Sequence, residues 1–450
     1  MTVDLHALFE QAILMDSNSQ LRGASTHPNN INLNEIITKL EPSLLLADIT
    51  RSTSITGFSD LNYPVWISIR PNAYTLSQSS GKSISHVSAL IGSIMEAFEL
   101  FYSEQYNPKD TIQLSLDEIA QTSLKYLNPH EFPYLTDLYS DKQKLSWTSC
   151  KKLNLSKGDT TEKDDDMYAY IPVDFVRLDY RKDSTVHFLT NTSNGLASGF
   201  SFNEACAQAL MEAVERHSTT TSILTNSIKK VDPLKIPSSC QNLIRQIESL
   251  GYSTKITDCT LFKKLPTFMF EFIPSKTHAK FSGGTGWGCH ISPEVALTRA
   301  IIEANQARTI LISGSRDDLG KPAYLSSQLR NMTSKEFYAG YEILPYSEVD
   351  FAIHDDNKPL ACYLPEIYAE LKNYGVRNIY FTELAPNNSP IHVVRLHIPK
   401  FEGYMSKGYR AVKKELRSGL VTKSPFGMKD RLIGSAQASL VRLNAGGTCT

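Results

Sequence analysis

Three stretches of the chain repeat one arrangement of apolar, small and acidic positions. They are ALIGSIMEAFEL from Ala89, ACAQALMEAVER from Ala205 and ALTRAIIEANQA from Ala296. Their apolar residues recur at intervals of three and four, which gathers side chains on one face of a helix. The pattern predicts helices over 83–102, 203–224 and 293–312. Two more are predicted over 5–15 and 240–250, the first followed by a polar stretch rich in Asn and Ser. Branched and aromatic runs predict strands at 43–50, 63–70, 168–176, 267–273, 378–382 and 391–398. A turn is expected at 193–195, a Gly-rich loop at 283–288 and a charged connector at 160–166, while 103–165 carries little signal. No low-complexity linker divides the chain. The reading is one large α/β (α+β) unit with the three acidic helices packed on β-sheets. An N-terminal extension spans 1–45, the main domain 46–405 and a C-terminal tail 406–450.

Aligned on their first alanine, the repeats carry a glutamate seven residues on: Glu96, Glu212 and Glu303. Three residues further come Glu99, Glu215 and Gln306. These intervals place Glu96 with Glu99 on one face, Glu204 with Glu212, Glu215 and Arg216 on another, and Arg299 with Glu303 and Gln306 on a third. Like charges so spaced cost an isolated helix a few tenths of a kcal/mol per pair. Buried without partners they cost far more. For one such pair, solvation or a nearby Lys or Arg is the plainer account. Three copies, each behind a Gly-bearing segment, point to a shared cationic ligand. A carboxylate set without His or Cys suits Mg²⁺ rather than zinc or copper. Lys82, Arg216 and Arg299 nearby in sequence would clamp a polyphosphate bridged by that ion. Gly81-Lys82-Ser83 matches the end of a phosphate-loop motif, but Leu76 stands where its first glycine belongs, so the nucleotide would be held another way.

The remaining composition narrows the function classes. Lys and Arg number 46 against 47 Asp and Glu in 450 residues, which argues against a duplex-binding stripe. No run approaches the roughly 18 apolar residues of a spanning helix. The first residues include Asp4 and Glu10 and no basic segment, unlike a secretion signal. A cytoplasmic protein with neither nucleic-acid nor membrane partners is expected. The seven cysteines are scattered with no C-x-x-C pair, as in a reduced protein without structural zinc. Cys206 reads as a small core residue. Cys289 has no base near it in sequence, and His290 reads as a satisfied loop histidine.

At these residues the chain resembles the YcaO family, over about 48–402. The first signature is ITGFSDLNYPVWISIRPNAYTLSQSSGK followed by SALIGSIMEAFELFYSE. The second is SNGLASGFSFNEACAQALMEAVERH, and the third is GTGWGCHISPEVALTRAIIEANQARTILISGSRDDL. The resemblance implies an ATP and Mg²⁺ site without a phosphate loop, built from the acidic helices. It implies phosphorylation of a peptide backbone amide oxygen after a nucleophile has attacked the carbonyl carbon. Carried over by position, Glu96 and Glu99 match the first signature's metal carboxylates, while Glu204, Glu212, Glu215 and Arg216 match metal and phosphate ligands of the second. Arg299 and Glu303 match the third. Lys82 takes the family's Gly-Lys position, and Ser193 and Asn194 are candidates for nucleotide contact or for a plain turn. No catalytic base is assigned.

Two departures bear on the product. Phe200 follows Gly199 where many relatives carry Asn, and the chain ends LVRLNAGGTCT where azoline-forming members often have a Pro-rich tail. The segment MEAFELFYSE is similar to the subgroup found beside TfuA-type partners. The resemblance therefore implies a thioamide as product, with azoline formation on Cys, Ser or Thr as the alternative. A non-catalytic nucleotide-binding scaffold is the second alternative. The implied partners are a precursor peptide or protein and a TfuA-like or ubiquitin-activating-enzyme-like protein. The reading also admits a homodimer.

Overall fold

Each acidic helix lies behind a strand that carries glycine, and this pairing organises the chain. The computed structural model describes residues 3–17, 32–136, 138–154, 167–180, 192–275, 283–316, 333–351, 359–403 and 411–412. Its strands are β1 (Arg51–Ser54), β2 (Val65–Ile69), β3 (Gln78–Lys82), β4 (Ile112–Leu114), β5 (Leu145–Lys152), β6 (Tyr168–Pro172) and β7 (Leu196–Gly199). There follow β8 (Lys229–Lys230), β9 (Tyr252–Asp258), β10 (Thr267–Pro274), β11 (Gly284–Cys289), β12 (Tyr380–Glu383) and β13 (His392–His397). The helices are α1 (Leu5–Ser17), α2 (Leu33–Leu46), α3 (His86–Glu104), α4 (Leu116–Ile119), α5 (Phe202–Leu224), α6 (Ser238–Ser249), α7 (Pro293–Ser313), α8 (Ser334–Tyr338) and α9 (Leu364–Asn373).

Three sheets result: β1-β2-β3, β11-β10-β9-β8, and β4-β5-β12-β13-β7 with β6 also on β5. The pairings between these strands are antiparallel. The fold is therefore mixed helix and antiparallel sheet, the α+β form of the expected class. Each sheet ends on the strand that precedes an acidic helix: β3 before α3, β7 before α5, and β11 before α7.

Glycine permits this stacking. Gly284, Gly286 and Gly288 alternate along β11 and so share one face. A Cβ on any of them would overlap backbone atoms of Ala304, Ala300 or Ala296. Those alanines recur every fourth residue and form one ridge of α7. Gly81 meets the backbone of Ala89 and Ser93 in the same way, and Gly199 that of Ala205. Capping fixes where each helix begins: Ser85, Ser201 and Ser292 accept from the backbone of Ser88, Glu204 and Val295. At α3 the Asp16 carboxylate of α1 also accepts from the backbone N–H of His86 at 2.6 Å and of Val87 at 3.1 Å. Leu5, Phe9 and Ala12 bury α1 in the same apolar cluster as Leu90, Ile94 and Phe98 of α3. The six-strand sheet is covered on both faces. Leu196 and Val393 pack in the cluster of α3, and Ala197, Val394 and Leu396 in that of α5.

Four sequence expectations change. Residues 43–46 are the last turn of α2, and the strand begins only at Arg51. Ile37, Leu40 and Leu44 are buried at helical spacing while Leu45 and Leu46 are exposed, so the leucine run follows the helical period and not that of a strand. Residues 284–289 are strand rather than loop, because glycines on one face were needed for helix contact. The weakly patterned 103–165 contains β4, α4 and β5. Residues 173–175 turn out of β6 as a short 3₁₀ segment. The connector 160–166 and most of the tail lie outside the described residues. Among the described residues, no helix is long and apolar enough to cross a membrane.

Candidate active site

Glu96 and Glu99 sit one turn apart on α3, and each reaches a strand at a sheet edge. The Ser80 N–H of β3 donates to Glu96 Oε2 at 2.7 Å, and its hydroxyl lies 3.5 Å from the same oxygen. The Ser198 N–H and hydroxyl of β7 both donate to Glu99 Oε1, at 2.8 and 2.7 Å. Ser80 and Lys82 alternate on β3 and so share a face. Lys82 Nζ donates to Glu303 Oε2 of α7 at 2.5 Å, closing a contact across 221 residues of sequence. On α5, Arg216 Nη1 lies 3.4 Å from Glu215 Oε1, with its guanidinium 5.9 Å from the Trp287 ring centre. Arg299 Nη1 of α7 donates to Gln208 Oε1 of α5 at 3.4 Å. Glu215 is buried, and the other four glutamates are half-buried.

Electrostatics tie these groups into one cluster. Burial pushes the Glu99 carboxyl up to about 8, with repulsion from Glu96 and Glu212 adding to it against the Ser198 hydrogen bonds. Burial pushes Glu212 up to about 7; Arg216 opposes this, and Glu215, Glu303 and Glu96 reinforce it. Glu96 and Glu215 are also raised, chiefly by burial. Burial acts most strongly on Glu303 too, but Lys82, Arg216 and Arg299 together outweigh it, and its carboxyl falls below the ordinary value. The protein's own cations therefore satisfy Glu303 and leave Glu99 and Glu212 under-compensated.

This has a consequence for stability. Where folding raises a carboxyl's pKa, the folded chain holds protons that the unfolded chain has released, so stability falls as pH rises. The window runs from the ordinary 4.5 to about 8 for Glu99 and about 7 for Glu212. The melting temperature of metal-free protein is expected to fall across that window, and saturating Mg-ATP to flatten the fall. Calorimetry in chelator at stepped pH checks this; a melting temperature that climbs toward pH 8 would mean that the carboxylates are solvated.

The fold thus brings Lys82, Glu96, Glu99, Glu212, Glu215, Arg216, Arg299 and Glu303 into one charged cluster. Three other predicted residues have different surroundings. Glu204 accepts from the Phe200 N–H at 3.0 Å, and its opposing charge is Lys39 of α2. Ser193 and Asn194 form the turn before β7: the Leu196 N–H donates to the Ser193 carbonyl, and Gly195 takes φ 74°. The Asn194 amide lies beside Gly403. Phe200 packs in the cluster of α1 and α3, with Lys39 Nζ 5.6 Å from its ring centre. Cys206 and Cys289 are buried, and burial holds both thiols up at about 12, so neither is a thiolate at neutral pH. His290 Nδ1 accepts from the Ser292 N–H at 3.0 Å, as a satisfied loop histidine does. Sequence reasoning missed Ser80 and Ser198, although both stand directly before a glycine that the repeat requires.

The cluster fits Mg²⁺ with a polyphosphate. Its excess of under-compensated, half-buried oxygen ligands calls for a hard cation. Among the described residues, no three His, Cys, Asp or Glu side chains close on a single point. Mg²⁺ is usually held by one or two carboxylates and completes its shell with water and phosphate oxygens.

Carboxylates and cations gathered in this way suit a class of enzymes that use Mg²⁺ with a nucleotide. The family described as YcaO cyclodehydratase, ATP- and Mg²⁺-binding, matches residues 80–402, and the chain belongs to it. Its members are ATP-dependent enzymes that modify peptide backbones, with ATP and Mg²⁺ as their ligands. A Rhizobium leguminosarum bv. trifolii protein described as lying in the tfuA 3′ region is 26% identical over 394 residues, covering 83% of this chain and 89% of that one. The fold is similar to that of YcaO from Methanopyrus kandleri bound with AMPPCP and Mg²⁺, with a TM-score of 0.61, 16% identity, and coverage of 84% of this chain and 93% of that one. It is also similar to a heterocyclase in complex with substrate and cofactor, with a TM-score of 0.65, 15% identity, and coverage of 97% of this chain and 60% of that one.

Proposed function

We propose that this chain converts a backbone amide of a ribosomally made peptide or protein into a thioamide, aided by a TfuA-like partner. The observation that carries the ATP-dependent part is the under-compensated glutamate cluster on α3, α5 and α7. Glu96, Glu99, Glu212, Glu215 and Glu303 are the carboxylates from which Mg²⁺ would draw its one or two protein ligands, and Lys82, Arg216 and Arg299 would stand against the phosphates. Bound Mg²⁺ supplies neutralisation of the polyphosphate charge. Sulfide adds to the amide carbon, and the resulting oxyanion attacks the γ-phosphorus and releases ADP. Loss of the S–H proton to solvent with expulsion of phosphate then leaves C=S. Phosphorylation matters because oxide is a very poor leaving group and phosphate a good one. Arg216, which lies beside Glu215, would offset charge on the transferring group.

Likeness to a protein of the tfuA 3′ region supports the thioamide and the partner. The family's description as cyclodehydratase supports the second reading, in which a Cys, Ser or Thr side chain is the nucleophile and an azoline forms. Mass spectrometry of the peptide after coexpression with the chain and its partner separates them. Oxygen-for-sulfur exchange adds about 16 Da, and cyclodehydration removes about 18 Da, since different nucleophiles act on one activated amide. The expected result is the gain. A loss mapping to Cys, Ser or Thr would replace the thioamide by the azoline. An unmodified peptide without ADP release would favour a nucleotide-binding scaffold.

A further inference from the structure

We propose that Ser80, Ser198 and Gln306 are positioning residues that fix which oxygens of Glu96 and Glu99 face the bound cation. The inference rests on the reading above of those two glutamates as cation ligands. β3 and β7 are end strands of their sheets, and each carries Ser directly before the Gly that admits its helix. Glycine brings the helix backbone close, and the serine beside it meets a glutamate. Both Ser198 donors land on Glu99 Oε1, and both Ser80 donors on Glu96 Oε2. Oε2 of Glu99 and Oε1 of Glu96 are then the oxygens that remain for a cation.

Gln306 completes the arrangement and accounts for the break in the acidic repeat. Its Nε2 donates to Ser80 Oγ at 3.0 Å. With an amide hydrogen filling one lone pair of that oxygen, the hydroxyl proton is directed at Glu96. A glutamate here, as in the other two repeats, would accept the hydroxyl proton instead and add charge beside Glu96. Ser198 and Gln306 are each only 8% exposed, so water does not readily replace either donor. Partners of this kind, one step behind the ligands, commonly change metal affinity about 10–100-fold when removed.

The test uses the full chain and Mn²⁺ as a paramagnetic substitute for Mg²⁺, titrated by electron paramagnetic resonance with and without ATP. Ser198→Ala and Gln306→Glu are each expected to weaken Mn²⁺ binding about tenfold. Ser198→Thr keeps the hydroxyl and is expected to bind close to the unaltered chain. The Michaelis constant for Mg²⁺ should rise more than kcat falls. Melting curves run alongside show which variants fold, and Gln306→Glu carries the test alone if Ser198→Ala does not. Glu99→Gln is the control. If it binds Mn²⁺ normally, the reading of Glu99 as a ligand fails. If it loses binding while Ser198→Ala and Gln306→Glu keep theirs, only the positioning role is overturned. Tighter binding by Gln306→Glu would make position 306 a ligand site and would also overturn it.

Discussion

Arg216→Ala is expected to abolish ATP-driven modification while the chain stays folded. The side chain is half-buried, over Trp287 and beside Glu215, so its removal opens no core cavity. Its guanidinium is the leading opposing charge for Glu212 and Glu215, and one of three that hold Glu303 down. Without it the cluster becomes more negative where a polyphosphate must approach. A planar donor fork that can bind phosphate oxygens in pairs is lost as well. Removing one donor aimed at developing charge typically costs about 10²–10³ in turnover. ADP release measured with peptide and partner should fall at least that far, with the melting curve of the metal-free chain keeping its single transition. Arg216→Lys restores a point charge without the fork and should recover only part. Unchanged ADP release in Arg216→Ala would remove Arg216 from the site.

Gly286→Ala is expected to destabilise the chain more than any single charge change at the site. The added Cβ would overlap the backbone of Ala300 and Ala304 on α7, and backbone cannot rotate away as a side chain can. Overpacking a tight contact costs about 1–3 kcal/mol and sometimes more. The displacement would also carry Glu303 away from Lys82, because Glu303 lies between those two alanines. A melting temperature lowered by several degrees, with weakened Mg-ATP binding, is the expected outcome. Gly57→Ala is the control, since no atom lies within 4 Å of the position a Cβ would take. Equal melting temperatures for the two variants would show that the strand and helix are not in close contact.

Local pattern was enough to read much of this protein. Intervals of seven and ten from a shared alanine put Glu96 with Glu99 and Glu212 with Glu215 on helix faces before any fold was known, because helical periodicity is a property of the backbone alone. The three helices followed for the same reason: the expected 83–102, 203–224 and 293–312 lie within three residues of α3, α5 and α7 at each end. Short segments were less legible. The leucines before Arg51 suit either period, and only their burial among α1 and α3 decides for helix. The glycines of 284–288 look like a loop until the alanine ridge of α7 is laid against them.

What joins the three helices into one site was not legible locally. No spacing rule relates Lys82 to Glu303, or Ser198 to Glu99, since each contact depends on how separate sheets end against the helices. Glu204 shows the converse. It is on the same helix as Glu212, two turns away, yet it lies at the N-terminus, where the Phe200 N–H and Lys39 face it and partly oppose the effect of burial. The sequence by itself determined that carboxylates would line three helical faces. Tertiary structure alone decided which of them are crowded and which are paired. Burial and Coulomb repulsion depend on distances between segments hundreds of residues apart, and only the packed fold sets those distances.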